Sequence, residues 1–236
     1  MLKKLILLVL ALFLFAGVAQ AQTEELPDPG ITPDSPLYFF DTLGENIGLF
    51  FAFGDEAKTR KAVEIANEKV AEAQAMAEKG NEDAAEIAAE RYGKVISTAA
   101  ESLAASARSG EGFDEALAQL IAQATSIHLS VLADVYDRVP DQAKSSIERA
   151  MQESVRGGEE ALNAVSGEKR EEVMQQVEEK RQEVKQKLDT LRKEGKPIPN
   201  IQTGNEQGAP EGAGGAGGGN SGAQNVGRPE QVPGRP

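Results

Sequence analysis

The spacing of apolar residues between positions 36 and 195 predicts helices along this whole region. Two segments each carry one apolar stripe with steps of three and four residues, the period of an α-helix that buries one face. No segment alternates apolar and polar residues as a strand does. The two stripes are Val63, Ala66, Val70, Ala73, Ala77 and Leu117, Leu120, Ile121, Ala124, Ile127, Val131, Val135.

Glycines and capping residues divide the region into six predicted helices. Short connections make consecutive helices antiparallel neighbours. The sequence therefore predicts an all-α fold, an antiparallel helical bundle of five to six helices, with the bundle domain at residues 36–165. The predicted helices lie at about residues 36–53, 55–79, 82–108, 113–138, 141–165 and 166–195.

The last predicted helix, residues 166–195, has a different pattern. Its apolar residues, with Arg181 among them, alternate between steps of three and four, which is a heptad seam narrower than the stripe of a core helix. We expect this helix to project from the bundle or pack loosely along it. We also expect it to pair with the fifth helix or with its own copy, which predicts weak self-association. The seam comprises Met174, Val177, Val184, Leu188 and Leu191, of which Val184, Leu188 and Leu191 are candidate interaction residues.

Phenylalanines are concentrated in the first predicted helix. A helix that is apolar on every side is typically buried, so we expect Phe50 and Phe51 in the bundle core. The alternative is that this helix docks a partner, because aromatic residues dominate interface hot spots. Membrane insertion is less favoured, because acidic residues stand where such helices carry Lys or Arg. The candidate interaction residues here are Phe50, Phe51 and Phe53.

The two ends of the chain have biased composition. Residues 1–21 combine two lysines, a short apolar run and a small-x-small site, the parts of a secretory signal peptide, and we expect cleavage before Gln22. Residues 22–35 read as an extended lead-in, and the Gly/Pro-rich residues 196–236 as a disordered tail. No later segment reads as a membrane anchor. We expect a secreted or periplasmic protein, without stable membrane insertion after cleavage.

Charge and composition narrow the function classes. The net charge is −13, and it becomes −15 once Lys3 and Lys4 leave with the leader. That acidity argues against nucleic acid or anionic lipid as the partner. The chain has no cysteine and a single histidine, so disulfides and thiol catalysis are absent and histidine chemistry has little to work with. We expect no enzymatic activity and no cofactor.

The remaining candidate chemistry is one histidine and two groups of acids. His128 lies on the apolar stripe of the fourth predicted helix, and we interpret it as a hydrogen-bonded core residue. The second and third predicted helices each carry several carboxylates, which indicate either a solvated acidic face or oxygen ligands for a hard divalent cation. These carboxylates are Glu64, Glu68, Glu72, Glu82, Asp83, Glu86 and Glu90.

Two blocks of the sequence carry a resemblance to a known family. Residues 31–40, ITPDSPLYFF, precede an Ala/Glu-rich helix, and a second block extends from His128 through Val139-Pro140-Asp141 to Leu162. The chain resembles a small helical domain of unknown function from secreted or membrane-tethered bacterial and archaeal proteins, which opens with Pro-[Asp/Gly]-Ser-Pro-x-Tyr. The resemblance implies an extracytoplasmic address and no catalytic residues.

These observations favour a non-catalytic secreted or cell-envelope protein that acts through protein–protein interaction. Its partner is expected to be an unidentified envelope or secreted protein. The alternative is an extracytoplasmic protein that binds a small ligand or a divalent cation through the acidic faces of the second and third predicted helices.

Overall fold

The computed structural model describes residues 26–110 and 113–201, which form an antiparallel bundle of helices. No strand occurs in these two ranges, so the predicted all-α bundle is confirmed. The predicted signal peptide and nearly all of the predicted tail lie outside the described residues. The helices are α1 (Tyr38–Phe51), α2 (Asp55–Glu78), α3 (Glu82–Ser109), α4 (Glu115–Arg138), α5 (Asp141–Ala164) and α6 (Gly167–Lys193).

The helix ends lie within two residues of the predicted ones. The sequence predicts Asp55, Asn81 and Ser166 as the capping residues of α2, α3 and α6, and only one of the three acts as a cap. Asn81 caps α3 by accepting a hydrogen bond from the first turn, as its position indicated. Asp55 is the first residue of α2 and makes no capping bond; the residue before the helix is Gly54, at φ 87°. Ser166 donates from its backbone and its hydroxyl to Glu115 Oε1 at 2.7 and 2.9 Å, so it ties α6 to α4 rather than capping α6.

Helix α4 is the central core helix, in contact with α2, α3, α5 and α6. Most of its predicted stripe is buried, but Leu120 is exposed. By length and composition alone α4 could cross a membrane, which corrects the expectation that no later segment is apolar enough. Because 61% of its most apolar window is buried inside the bundle, that apolarity is accounted for by core packing.

Small residues let the other helices approach α4 and one another closely. All five residues of the predicted α2 stripe are buried. A pair of glycines such as Gly157 and Gly158 predicts a weak point near the middle of a helix, yet both lie in one continuous helix, α5. A Cβ at Gly158 would come within 2.6 Å of Thr125 Oγ1 on α4, whereas a Cβ at Gly157 would meet Ile96 of α3 at 3.5 Å. Gly158 therefore permits the close contact between α5 and α4.

Helix α6 packs along α4, which agrees with one of the two expected arrangements, packing along the bundle, and not with projection from it. The expected pairing with the fifth helix is wrong. Its contacts with α5 are few, and one of them joins Arg181 Nη2 to Glu159 Oε1 at 3.4 Å. Lys187 pairs with Asp134 of α4. Since α4 covers most of the heptad seam, that seam is occupied within the chain. The buried residues of α6 are Val173, Val177, Val184 and Leu191; Leu188 is partly buried and Met174, predicted in the seam, is half exposed.

Short segments at both ends of the described chain also touch the bundle. Leu26 of the lead-in packs against the core. Ile198 and Ile201, which fall in the segment expected to be disordered, do the same, and Lys196 Nζ lies 2.9 Å from Asp137 Oδ1. Packing along the bundle therefore continues past the end of α6 to residue 201.

Candidate functional site

Helix α1 turns its polar side toward the bundle and its apolar side toward solvent, the opposite of an ordinary surface helix. Tyr38 and Thr42 are buried on its inner side, and Glu45 is nearly so. Its large apolar residues, except the partly buried Leu49, point away from the bundle. At 100° per residue the outer residues occupy one continuous arc without a charged side chain. This outer face consists of Phe39, Phe40, Leu43, Ile47, Phe50 and Phe51, with Phe53 just beyond the helix.

The exposure of this outer face overturns the expectation that Phe50 and Phe51 are core residues. Their side chains are 78% and 61% exposed, and Phe53 is 83% exposed. The core is already closed by alanine-rich packing of α2 to α5. Helix α1 packs mainly against α2, and one arginine of α3 reaches the Tyr38 ring. Apolarity on all sides therefore did not indicate burial of the whole helix, because α1 buries only its inner side, where the polar groups are joined by a single partly buried leucine, Leu49.

A buried ionic cluster attaches α1 to α2, and its centre is Lys69. This lysine is fully buried, and its Nζ lies 2.5 Å from Glu45 Oε1 and 3.5 Å from Asp41 Oδ2, both on α1. It also pairs with Glu72 on its own helix. A single ammonium thus faces three carboxylates, and this arrangement holds the inner face of α1 against α2.

The protonation of this cluster follows from burial. Burial raises the pKa of Glu72 to about 7, although Lys69 and the Tyr38 hydroxyl oppose the rise. Burial likewise raises the pKa of Glu45 above its ordinary value. For Lys69 burial acts against the charge, but hydrogen bonds and attraction from Glu45 and Glu72 keep its pKa above the usual value. The lysine is therefore charged, and Glu72 takes up a proton near neutrality.

Tyr38, the tyrosine of the opening motif, completes the cluster. Its hydroxyl donates to Glu72 Oε2 at 3.0 Å. The Lys69 ammonium and the Arg91 guanidinium lie 5.0 and 5.2 Å from the centre of its ring, within cation–π range. The motif therefore has an evident structural role here, since its tyrosine orients the first helix.

Sequence reasoning missed Lys69, although a signal was present. Lys69 lies three residues after Ala66 and four before Ala73, so it occupies a position in the apolar stripe of α2. A lysine at such a position is rarely buried unless it is paired. The carboxylates that pair with it come mainly from another helix, which no pattern within α2 could reveal.

His128 belongs to a second buried polar network, and its interpretation as a hydrogen-bonded core residue is confirmed. Its Nδ1 lies 3.2 Å from the Tyr92 hydroxyl and its Nε2 2.7 Å from Asn67 Oδ1. Tyr92 donates to Ser154 Oγ at 2.8 Å, and Ser154 donates to the Thr125 carbonyl at 2.7 Å. Burial lowers the pKa of His128 to about 3, so the ring is neutral and serves to join α2, α3, α4 and α5.

The acidic residues of α2 and α3 face different neighbours. Glu72 is committed to Lys69, while Glu64 pairs at the surface with Lys61 at 3.0 Å. On α3, Glu86 and Glu90 accept from Ser146 of α5 at 2.7 and 3.2 Å. Across residues 26–110 and 113–201, no three His, Asp or Glu side chains are grouped to hold a metal ion.

An open cleft of about 390 Å³ lies between α3 and α5. Three of its charged residues are paired: Arg149 Nη2 lies 3.2 Å from Glu90 Oε1, and Glu153 pairs with Arg156 at 2.6 Å. No buried side chain without a partner points into it. The cleft therefore carries no recognisable chemistry, and the outer face of α1 is the more distinctive surface.

Fold and surface together define a helical bundle whose first helix presents an aromatic face. Residues 30–142 match the family described as domain of unknown function (DUF5667), and this part of the chain is similar to that family. The match extends from just before the opening motif to the first turn of α5. No curated protein and no solved structure matches the chain.

Proposed function

We propose that this protein is a non-catalytic, extracytoplasmic helical protein that acts by protein–protein contact through the outer face of α1. The observation that carries the proposal is the exposure of five phenylalanine rings, four of them on one short helix and the fifth, Phe53, just beyond it. Exposed apolar patches of several hundred Å² on otherwise well-packed proteins mark interaction sites. Aromatic rings are also the residues that contribute most at interface hot spots.

The attachment of α1 supports this use of its outer face. The Lys69 cluster and the Tyr38 hydroxyl hold the inner side of the helix, so the aromatic side is presented in one orientation. A surface that is ordered before binding loses less entropy when it binds. The face carries no charge, and the partner it fits is therefore an apolar, uncharged protein surface.

The chemistry of α1 favours a protein over a membrane as the partner. Helices that lie on membranes carry Lys and Arg on their polar side, whereas residues 31–57 contain neither. The net charge of −13 adds repulsion from anionic lipid. The predicted leader at residues 1–21 supports an extracytoplasmic address, where such a partner would be met.

Site-specific photocrosslinking in the organism that makes the protein tests this function. A benzophenone amino acid replaces Phe50 in one variant and Met174, an exposed apolar residue of α6, in the control. We expect discrete protein adducts from position 50 that disappear when Ile47→Glu is added, and none from position 174. Adducts with lipid alone, or the same adducts from both positions, would contradict the proposal.

A further inference from the structure

The outer face of α1 is palindromic. Its apolar residues are Phe39, Phe40, Leu43, Ile47, Phe50 and Phe51, and they are arranged symmetrically about position 45. Aromatic rings occupy both ends, and aliphatic side chains occupy the middle. Phe40, Leu43, Ile47 and Phe50 are separated by three, four and three residues, which is the spacing of a coiled-coil seam.

We infer that the partner of this face is a second copy of the chain, bound antiparallel through α1 about a twofold axis near residue 45. This inference rests on the proposed function and names its partner. A twofold interface must be self-complementary, since each residue meets its counterpart from the same patch. The palindrome meets that condition, because it places Phe40 against Phe50 and Leu43 against Ile47 of the second copy.

The exposed area agrees with what a stable dimer needs. The five phenylalanines on or beside α1 are between 61% and 83% exposed. With about 200 Å² for each fully exposed side chain, they offer about 700 Å². Leu43 and Ile47, each nearly half exposed, bring the area close to the roughly 800 Å² per partner of a standard interface.

Charge does not obstruct this seam. The two acidic residues of α1, Asp41 and Glu45, face Lys69 on the inner side, so no like charges meet at the axis. The rest of the molecule is strongly acidic, and two copies repel each other at long range. Added salt screens that repulsion, and we therefore expect salt to strengthen the dimer.

This interface differs from the self-association expected at the last helix. Val184 and Leu191 are buried against the bundle, so α6 offers no free seam. The outer face of α1, in contrast, is available without any rearrangement of the fold. The dimer therefore places the two bundles on opposite sides of a central α1 pair.

Sedimentation equilibrium of the full chain, processed by a secreting host, tests the dimer. We expect a dimer at micromolar concentration whose dissociation constant falls as salt is raised. Ile47→Glu at the centre of the seam should weaken it at least tenfold without changing the melting temperature of the monomer. The control Leu120→Glu replaces an exposed apolar residue of α4 and should leave the dissociation constant unchanged.

Thiol crosslinking tests the antiparallel geometry, because the chain has no cysteine of its own. Phe40→Cys and Phe50→Cys are prepared separately and then mixed with a short bifunctional thiol reagent. We expect crosslinks between position 40 of one copy and position 50 of the other, and few crosslinks when either variant is treated alone. Crosslinks that form mainly within the single variants indicate a parallel pair and overturn the inference.

The two sets of experiments separate this inference from the proposed function. A monomer at high micromolar concentration, combined with adducts to a different protein from position 50, overturns the dimer and leaves the proposed function standing. A monomer that crosslinks to no protein overturns both. A dimer that is lost with Leu120→Glu but kept with Ile47→Glu overturns the assignment of the interface to α1.

Discussion

Replacement of Lys69 by Met is the sharpest test of how α1 is attached. Methionine keeps the apolar stem and removes the ammonium that Glu45 and Glu72 share. Lys69 is fully buried and Glu72 is 1% exposed, so the carboxylates cannot regain water while α1 stays docked. Removing one partner of a buried ion pair costs about 3–5 kcal/mol, and we expect a loss of that size at pH 8.

The loss should shrink as the pH falls. Without the ammonium the carboxylates take up protons more readily than in the wild type, where the pKa of Glu72 is already about 7. A proton on Glu72 removes the buried charge, so the cost of Lys69→Met should be clearly smaller at pH 5 than at pH 8. The control Lys61→Met breaks only the surface pair with Glu64, which is worth less than about 1 kcal/mol.

Two measurements report the effect of Lys69→Met, one on the whole bundle and one on individual helices. Urea unfolding reports the free energy of the whole bundle, and hydrogen exchange reports the opening of individual helices. Because α1 packs mainly against α2 and makes few contacts with the rest of the bundle, we expect faster exchange in residues 38–51 before the core is affected. An unchanged unfolding midpoint together with unchanged exchange in α1 at pH 8 would refute the view that this cluster holds α1.

Three further predictions concern the pH dependence and the core. Folding raises the pKa of Glu72 from its ordinary value of 4.5 to about 7, so the folded state binds an extra proton between about pH 7 and 4.5 and is stabilised by acidification there. Glu72→Gln should remove this contribution from the stability profile measured by urea unfolding, and an identical profile would contradict it. His128 contributes a pH dependence of stability with the opposite sign, because burial lowers its pKa from 6.5 to about 3 and stability is therefore lost as the pH falls from 6.5 to 3. The NMR shifts of its ring protons should not change between pH 5 and 8. A titration midpoint in that range would disprove the neutral, buried state of the ring. Gly158→Ala should lower the free energy of unfolding in urea by about 1–3 kcal/mol, because its Cβ would meet Thr125 Oγ1 at 2.6 Å. The control Gly157→Ala should be neutral or stabilising by up to about 1 kcal/mol. Equal effects of the two substitutions would contradict the close contact between α5 and α4 at Gly158.

Helix positions followed from local signals in the sequence. Gly54, Gly80 and Pro140 interrupt the helical period, and each effect is confined to a few neighbouring residues. The stripe of α2 was likewise readable, since an amphipathic helix in a bundle buries its apolar side. For these elements local preference and tertiary packing agree, and the bundle fold was therefore predictable.

Burial of particular side chains depended on contacts between distant parts of the chain. Periodicity identifies the apolar face of a helix but not what covers that face. Phe50 was expected in the core and is exposed to solvent, because Lys69 of α2 binds the acidic side of α1 and holds that side against the bundle. The seam of α6 was correctly located around Val184, but its partner proved to be α4.

Helix positions were predictable and the burial of particular side chains was not, for one physical reason. Caps, glycine breaks and helical period act over about one turn, so the amino-acid order alone established six helices and their ends. The orientation of α1 depends on the balance between a buried ion cluster and exposed aromatic rings. This cluster joins groups that are far apart in the sequence, such as Tyr38 and Glu72, which are separated by 34 residues. Such a balance exists only once the helices have packed, which is why the exposed aromatic face became visible in the folded molecule and not in the sequence.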